Sequence, residues 1–208
     1  MKRVLVISPH PDDESIGCGG TLRKHVREGD AVEAVFLTSG EKGGHAMAPH
    51  EVARRREDEA RRAAAILGIG RLEFYHEPDG ALSANPLVVE RIRARIDDWH
   101  PDLIYLPHDQ EMHADHRAAV EILRQALRNT PARPQIFMCE IWTPIQRIDE
   151  VVDISPYVET KRQAICAHES QCAEMDLHDA IIGLNRYRGE MHSWPGGDYA
   201  EVFIRLIV

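Results

Sequence analysis

Short apolar, β-branched runs alternate with longer amphipathic segments along this sequence, and that alternation constrains the fold more than any other feature. Residues 2–8, Lys-Arg-Val-Leu-Val-Ile-Ser, are nearly continuous in their apolar character, as in a strand covered on both faces. A glycine-bearing turn over Gly17–Gly20 and a helix over 21–28 follow. A second strand is expected over 31–39, then a loop with three glycines over 40–50 and a helix over 51–67 closed by Gly68. The pattern repeats as strand 71–76, helix 86–99, strand 103–106 and helix 115–129. Further strands are expected over 135–142, 151–154 and 199–208, with helices over 156–168 and 176–186. Strands and helices in alternation imply βαβ crossovers. The expected fold class is therefore α/β, a three-layer Rossmann-like fold around a mostly parallel β-sheet.

A length of 208 residues favours one domain over 1–208, large enough to bury a core without covalent or metal staples. The net charge of −9 argues against a general nucleic-acid binder, which needs a basic face. No apolar run approaches the roughly 18–20 residues of a membrane span. Pro9 to Glu14 cuts short the only stretch with a faint likeness to a signal peptide, so the chain reads as cytoplasmic. Its four cysteines (Cys18, Cys139, Cys166 and Cys172) form no Cys-x-x-Cys pair and suggest neither a disulfide framework nor a cysteine zinc site.

Twelve histidines are a generous allotment, and several crowd with acids into two segments. In open α/β sheets, ligands bind beyond the carboxyl ends of the strands. The loops 9–20, 40–50, 77–85 and 107–116 should therefore share one rim. The first carries His10-Pro11-Asp12-Asp13-Glu14. Three consecutive acids repel one another, burying any of them unpaired is costly, and a cation resolves the conflict. Histidine and aspartate are ordinary zinc ligands, and a catalytic zinc takes three protein groups while leaving a place for water. The fourth loop carries His113-Ala114-Asp115-His116. Positions three apart share a helix face, so His113 and His116 can enter one cavity, and Asp115 suits a helix N-terminus. Either cluster alone also fits simple helix capping; both on one rim favour a metal site.

Competing motifs are weaker. Gly17-Cys18-Gly19-Gly20 lacks the Gly-x-Gly-x-x-Gly spacing of dinucleotide binding, and the second strand ends without a ribose-binding acid. No serine sits in a Gly-x-Ser-x-Gly elbow. Cys166 and Cys172 near His168 fit packing better than a thiol nucleophile. The Arg54–Arg62 stretch interleaves Arg with Glu57, Asp58 and Glu59, as on a solvated helix face.

Pro9-His10-Pro11-Asp12-Asp13-Glu14 after the first strand, with His113-Ala114-Asp115-His116 after the fourth, resembles the PIG-L/LmbE-like family of zinc-dependent N-deacetylases. Thr38 to Gly43, Arg56 to Ala60, Ile66 to Gly68, Asp79-Gly80, His168 to Gln171 and Tyr199 to Phe203 resemble further family segments. The resemblance implies that His10, Asp13 and His116 hold zinc, or another divalent metal such as Fe2+. It implies Asp12 as general base and then acid, and His113 as a cationic oxyanion stabiliser oriented and supported by Asp115. Which of Asp12 and Asp13 takes which role does not follow from spacing; the family supplies it. Glu41, Arg56 and Asp79 match residues that contact sugar hydroxyls. Trp142 and Trp194 are candidates to stack on a sugar or to lie in a core or oligomer contact; some family members use a tyrosine near the substrate carbonyl, to which Tyr187, Tyr199 or neither corresponds.

The implied activity is hydrolysis of the N-acetyl group of an amino sugar or GlcNAc conjugate, with release of acetate. The implied partners are a small N-acetylated sugar and, as a homo-oligomer, copies of the chain in a trimer or hexamer. Two rival readings are a same-family amidohydrolase acting on a non-sugar amide and a non-catalytic metal- or ligand-binding module.

Overall fold

A computed structural model describes residues 1–44, 47–128, 130–192 and 197–207. Strands β1 (Arg3–Ser8), β2 (Ala31–Thr38), β3 (Arg71–Glu77), β4 (Leu103–Pro107), β5 (Gln135–Cys139), β6 (Glu150–Asp153) and β7 (Ala200–Leu206) form one sheet in the order β3-β2-β1-β4-β5-β7-β6. The first five run parallel, with Val4 beside both Val32 and Leu103. β7 runs antiparallel to β5 and to β6, so the expected mostly parallel sheet is present with one reversed strand.

Seven helices cover it among the described residues: α1 (Asp13–Arg27), α2 (Pro49–Leu67), α3 (Pro86–Trp99), α4 (Ala114–Arg128), α5 (Val158–Cys166), α6 (Glu169–Cys172) and α7 (Leu177–His192). Alternate residues of β1 feed two cores. Val4 and Val6 pack with Leu22 of α1, Ala63 of α2, Ile165 of α5 and Ile181 of α7, whereas Leu5 and Ile7 pack with Ile92 of α3 and Leu123 of α4. The continuous apolar run is thus explained by burial on both faces. Each such side chain contributes about 1.5–3 kcal/mol relative to exposure. Strand order reverses around β1, whose neighbours are β2 and β4. The loops leaving β1 and β4 part there and open the crevice in which open α/β folds bind ligands.

The glycine-bearing turn expected over Gly17–Gly20 is instead part of α1, which begins at Asp13 and kinks at Cys18 (φ −144°, ψ 16°). The glycines provide room rather than a turn. A Cβ on Gly17 would lie 2.5 Å from Cys139 Sγ, and one on Gly20 would lie 2.7 Å from Ile154 Cβ. Past the kink, the carboxylate of Glu201 on β7 accepts the N–H groups of Gly20 (2.9 Å) and Thr21 (2.7 Å). Lys161 Nζ donates to the same carboxylate at 2.6 Å, and both side chains are sealed from solvent. Other differences are small: α7 runs on to His192, and the helix expected over 156–168 splits into a 3-10 turn (Ser155–Tyr157) and α5. Gly68 caps α2 in a left-handed conformation, as expected.

Because Ile154 meets Gly20 with its branched Cβ, it cannot swing aside. Gly20→Ala is expected to lower unfolding free energy by about 1–3 kcal/mol through overpacking. Denaturant unfolding checks this; a variant as stable as wild type would contradict the close approach.

Candidate active site

The loop after β1 runs straight into α1, which places His10, Asp12 and Asp13 at that helix's N-terminus; α4 begins with Asp115 and His116. These residues meet at the crevice. His10 Nδ1 lies 3.4 Å from Asp13 Oδ2, His116 Nε2 lies 3.3 Å from Asp13 Oδ1, and the two histidine nitrogens are 3.3 Å apart. On the other side of the ring, His10 Nε2 lies 3.1 Å from Asp79 Oδ1 and 3.3 Å from Asp115 Oδ2.

Two overlapping donor sets, His10–His113–His116 and His10–Asp79–Asp115, bring ligand atoms within 4.8 Å of one another. The second set is already engaged. Asp115 accepts the N–H groups of Gly80 (2.7 Å) and Leu82 (3.1 Å), and Asp79 accepts that of Lys42 (2.8 Å). Those carboxylates are natural acceptors for a proton on His10 Nε2, which leaves the Nδ1 lone pair facing Asp13 and His116. Around that point the two histidine nitrogens sit 3.3 Å apart, and each meets a different oxygen of Asp13, at 3.4 and 3.3 Å. The nitrogen separation is about the edge of a tetrahedron around a cation with bonds of about 2.0–2.1 Å, and two imidazoles with a carboxylate are a donor set that suits a divalent metal such as zinc.

The surrounding acids favour positive charge at this point. Burial alone would lower the pKa of both histidines, yet bonds to Asp115, Asp13 and Asp79 raise His10 well above its ordinary value. The charge of Asp13, with its hydrogen bond and that of Glu111, lifts His116 to about 9. Burial opposes ionisation of Asp13 and Asp79, but the facing histidines hold Asp13 well below the usual carboxylate range; His10 and the Lys42 amide hold Asp79 at about 2.

Asp12 is set apart from its neighbour by the backbone. Its φ of 136° is rarely populated by a residue with a side chain, a strain worth of order 1–3 kcal/mol that often marks functional sites. Its Oδ2 pairs with Arg56 at 3.1 Å, and the same guanidinium donates to Gly40 O (3.0 Å) and Pro11 O (2.8 Å). Burial pushes the Asp12 carboxyl up to about 6; Asp13 adds to the rise, against the pull of Arg56.

His113 departs from expectation. Its Nδ1 accepts the backbone N–H of Asp115 (3.2 Å), while the Asp115 carboxylate is committed to His10 and the 80–82 backbone. Asp115 therefore orients His113 through its amide, and its charge serves His10. Burial, with the nearby His10 and His116, lowers the His113 pKa despite the favourable field of Asp115. A neutral ring with its proton on Nε2 replaces the expected imidazolium, and it retains a donor.

A cavity of about 290 Å³ opens over these groups, lined by His10, Asp12, Asp13, His113, Arg56 and Asp79 together with Lys42, Gly43, Gly80, Trp142 and Gln171. Of the expected sugar contacts, Arg56 and Asp79 reach its wall. Glu41 stands behind, its carboxylate accepting the Asp79 N–H at 2.9 Å. Trp142 borders the cavity, and Trp194 lies outside the described residues. Sequence reasoning missed Glu111, which is fully buried. It faces His116 Nδ1 at 3.5 Å and accepts the N–H groups of Ile141, Trp142 and Thr143. Its spacing of five residues before His116 carries no recognisable pattern; only the fold brings it under that ring.

The sequence signature of the PIG-L family, described as GlcNAc-PI de-N-acetylase, matches residues 5–127, and the chain belongs to that family. It is 32% identical over 221 residues to diacetylchitobiose deacetylase of Thermococcus kodakarensis, covering 97% of this chain and 82% of that protein. The solved N,N'-diacetylchitobiose deacetylase of Pyrococcus horikoshii superposes with a TM-score of 0.85 at 26% identity, covering 99% of this chain and 84% of that one. The fold is shared more widely. The 4-carboxy-2-hydroxymuconate hydratase of Pseudomonas putida superposes with a TM-score of 0.88 at 23% identity, over 100% of this chain and 97% of that one. Fold alone therefore does not select the reaction; the residues at the rim must.

The Arg56–Asp12 pair has a measurable consequence in metal-free protein. A carboxyl raised in the folded state favours folding below its ordinary value of 3.8, and that advantage disappears as pH rises through about 6. Arg56→Gln removes the main charge that offsets this loss. Its destabilisation, read by denaturant unfolding, should be larger at pH 8 than at pH 5; a pH-independent loss would refute the coupling.

Proposed function

We propose that the protein is a zinc-dependent deacetylase that hydrolyses the N-acetyl group of an amino sugar or GlcNAc conjugate, releasing acetate. The observation that carries this reading is the convergence of His10 Nδ1, Asp13 and His116 Nε2 at 3.3–3.4 Å beside the strained Asp12, in a chain of the PIG-L family. His10, Asp13 and His116 would hold the metal. When bound, it supplies Lewis-acid polarisation of the amide carbonyl and acidifies water for attack.

The chain's own groups do the rest. Asp12, beside the metal ligands but not needed among them, takes the proton of the attacking water and returns it to the departing nitrogen, a role worth roughly 10²–10⁴-fold. His113 donates from Nε2 to the oxyanion. Asp115 and Asp79 keep the proton of His10 on Nε2. Arg56 and Asp79 stand where sugar hydroxyls would arrive, and Glu41 supports Asp79. The cavity of about 290 Å³ suits one sugar ring, and Lys42, Trp142 and Gln171 add to its lining beyond the acids and histidines. No helix among the described residues is long and apolar enough to cross a membrane. Four free cysteines fit a reducing, cytoplasmic setting. A trimeric or hexameric assembly follows from the family resemblance.

The test is acetate release from N-acetylglucosamine, its simple glycosides and N,N'-diacetylchitobiose by protein stripped of metal and reloaded with zinc or Fe2+. Release restored by metal is expected. Stoichiometric metal without release from any of them, combined with turnover of another amide, would select a non-sugar substrate. Asp12→Asn should keep one metal per chain while kcat falls by about 10²–10⁴-fold; unchanged kcat would remove Asp12 from the reaction.

A further inference from the structure

The acids of the first loop do not end with the metal site. Glu14 is 1% exposed and makes no contact with the candidate metal ligands' side chains; its carboxylate turns back under the loop. One oxygen, Oε2, accepts the backbone N–H of Asp12 at 3.1 Å. The other, Oε1, receives Ser15 Oγ at 2.7 Å and lies 3.2 Å from His168 Nε2. His168 is itself fully buried and comes from the far end of the chain, at the start of α6. Asp12 therefore holds its φ of 136° with its amide tied to a carboxylate that His168 and Ser15 tie in turn.

The His168 segment is itself fastened to the site. Ser170 donates its N–H and its hydroxyl to the buried carboxylate of Glu59 on α2 (2.9 and 2.6 Å), one turn from Arg56. Gln171 donates to Gly43 O at 2.9 Å and lines the cavity. Asp12 is thus gripped at both ends, its carboxylate by Arg56 and its backbone by Glu14.

We propose that Glu14 and His168 form a positioning pair that holds Asp12 in the backbone conformation from which its carboxylate serves the cavity. Neither residue touches the substrate cavity; both act through Asp12. A carboxylate is suited to this position because it accepts on both oxygens at once. An amide at residue 14 would have to turn its NH2 toward either the Asp12 N–H or the Ser15 and His168 donors. A histidine is suited because its compact ring brings Nε2 to Glu14 from a sealed position. The inference rests on Asp12 acting as the base.

The test uses the metal-loaded full chain. His168→Phe keeps a ring and removes the donor; His168→Gln restores a donor near the position of Nε2. For His168→Phe, kcat is expected to fall about 10²-fold, the loss that a base misplaced by about 1 Å produces. KM and bound metal should stay near wild type, and His168→Gln should recover most of the loss. Independently of turnover, the Asp12 amide should exchange with solvent about tenfold faster in His168→Phe, while the amides of β1 keep their protection. Should that variant fail to fold, Glu14→Gln is expected to give the same change in exchange. A kcat within about threefold of wild type, a loss confined to KM or metal content, or an unchanged Asp12 amide would overturn the proposal. Wild-type protein that releases no acetate would count against the functional reading, and the amide exchange would still decide whether the pair fixes Asp12.

Discussion

Six carboxylates are buried at one end of this sheet: Asp12, Asp13, Glu14, Asp79, Glu111 and Asp115 are each at most 5% exposed. Isolated ionised carboxylates in such a place would cost several kcal/mol each, so the surrounding structure exists to compensate them. It does so by giving each acid its own partners. Backbone amides satisfy Asp79, Asp115 and Glu111; a guanidinium holds Asp12; histidines face Asp13 and Glu14. Burial and pairing then pull neighbouring acids apart: Asp12 is driven toward the neutral form while Asp13 is held ionised. One acid able to exchange a proton beside one held ionised is the division that the proposed metal-assisted hydrolysis would use.

The sheet makes that crowding possible. At the strand-order reversal around β1, the loops after β1 and β4 part, and two helix N-termini converge on one crevice. The positive ends of α1 and α4 lie under Asp13 and Asp115, which offsets part of their burial cost. α1 is kinked at Cys18, one turn beyond this end. Gly17 and Gly20 let β5, Ile141 and Ile154 approach closely, and Glu201 with Lys161 replaces the helical partners lost at the kink. The helix that carries Asp12 and Asp13 at its start thus leans on a buried ion pair far along the chain.

The alternation of apolar runs with amphipathic segments carried the architecture, since burial on both faces leaves an unmistakable pattern in β1, β2 and β4. It did not carry the kink in α1. Glycines in a helix for reasons of space look identical in sequence to glycines in a turn. The reversed direction of β7 was also hidden, because an antiparallel strand paired on both sides within a covered sheet has the same composition as a parallel one. Among site residues, His10, Asp13, His113 and His116 stood out because two dense clusters lay at predicted strand ends. Glu111 did not, as its partners are three backbone amides some thirty residues away and the rings of His108 and His116.

The partners of Asp115 and Arg56 show where inference from a motif ends. A His-x-Asp-His string implies that the aspartate serves the histidine two residues before it. In the fold, the start of α4 turns the Asp115 carboxylate toward the opposite ring, and only its amide reaches His113. Arg56, matched to a sugar contact, spends its guanidinium on Asp12, Pro11 O and Gly40 O. Each residue type is right for its place, but the object of its charge differs from the one that sequence proximity suggests. The physical reason is common to both. Charges buried at a crowded rim must first satisfy one another, and a substrate then meets what that network leaves turned to the cavity, such as His113 and the cavity-lining faces of Arg56 and Asp79.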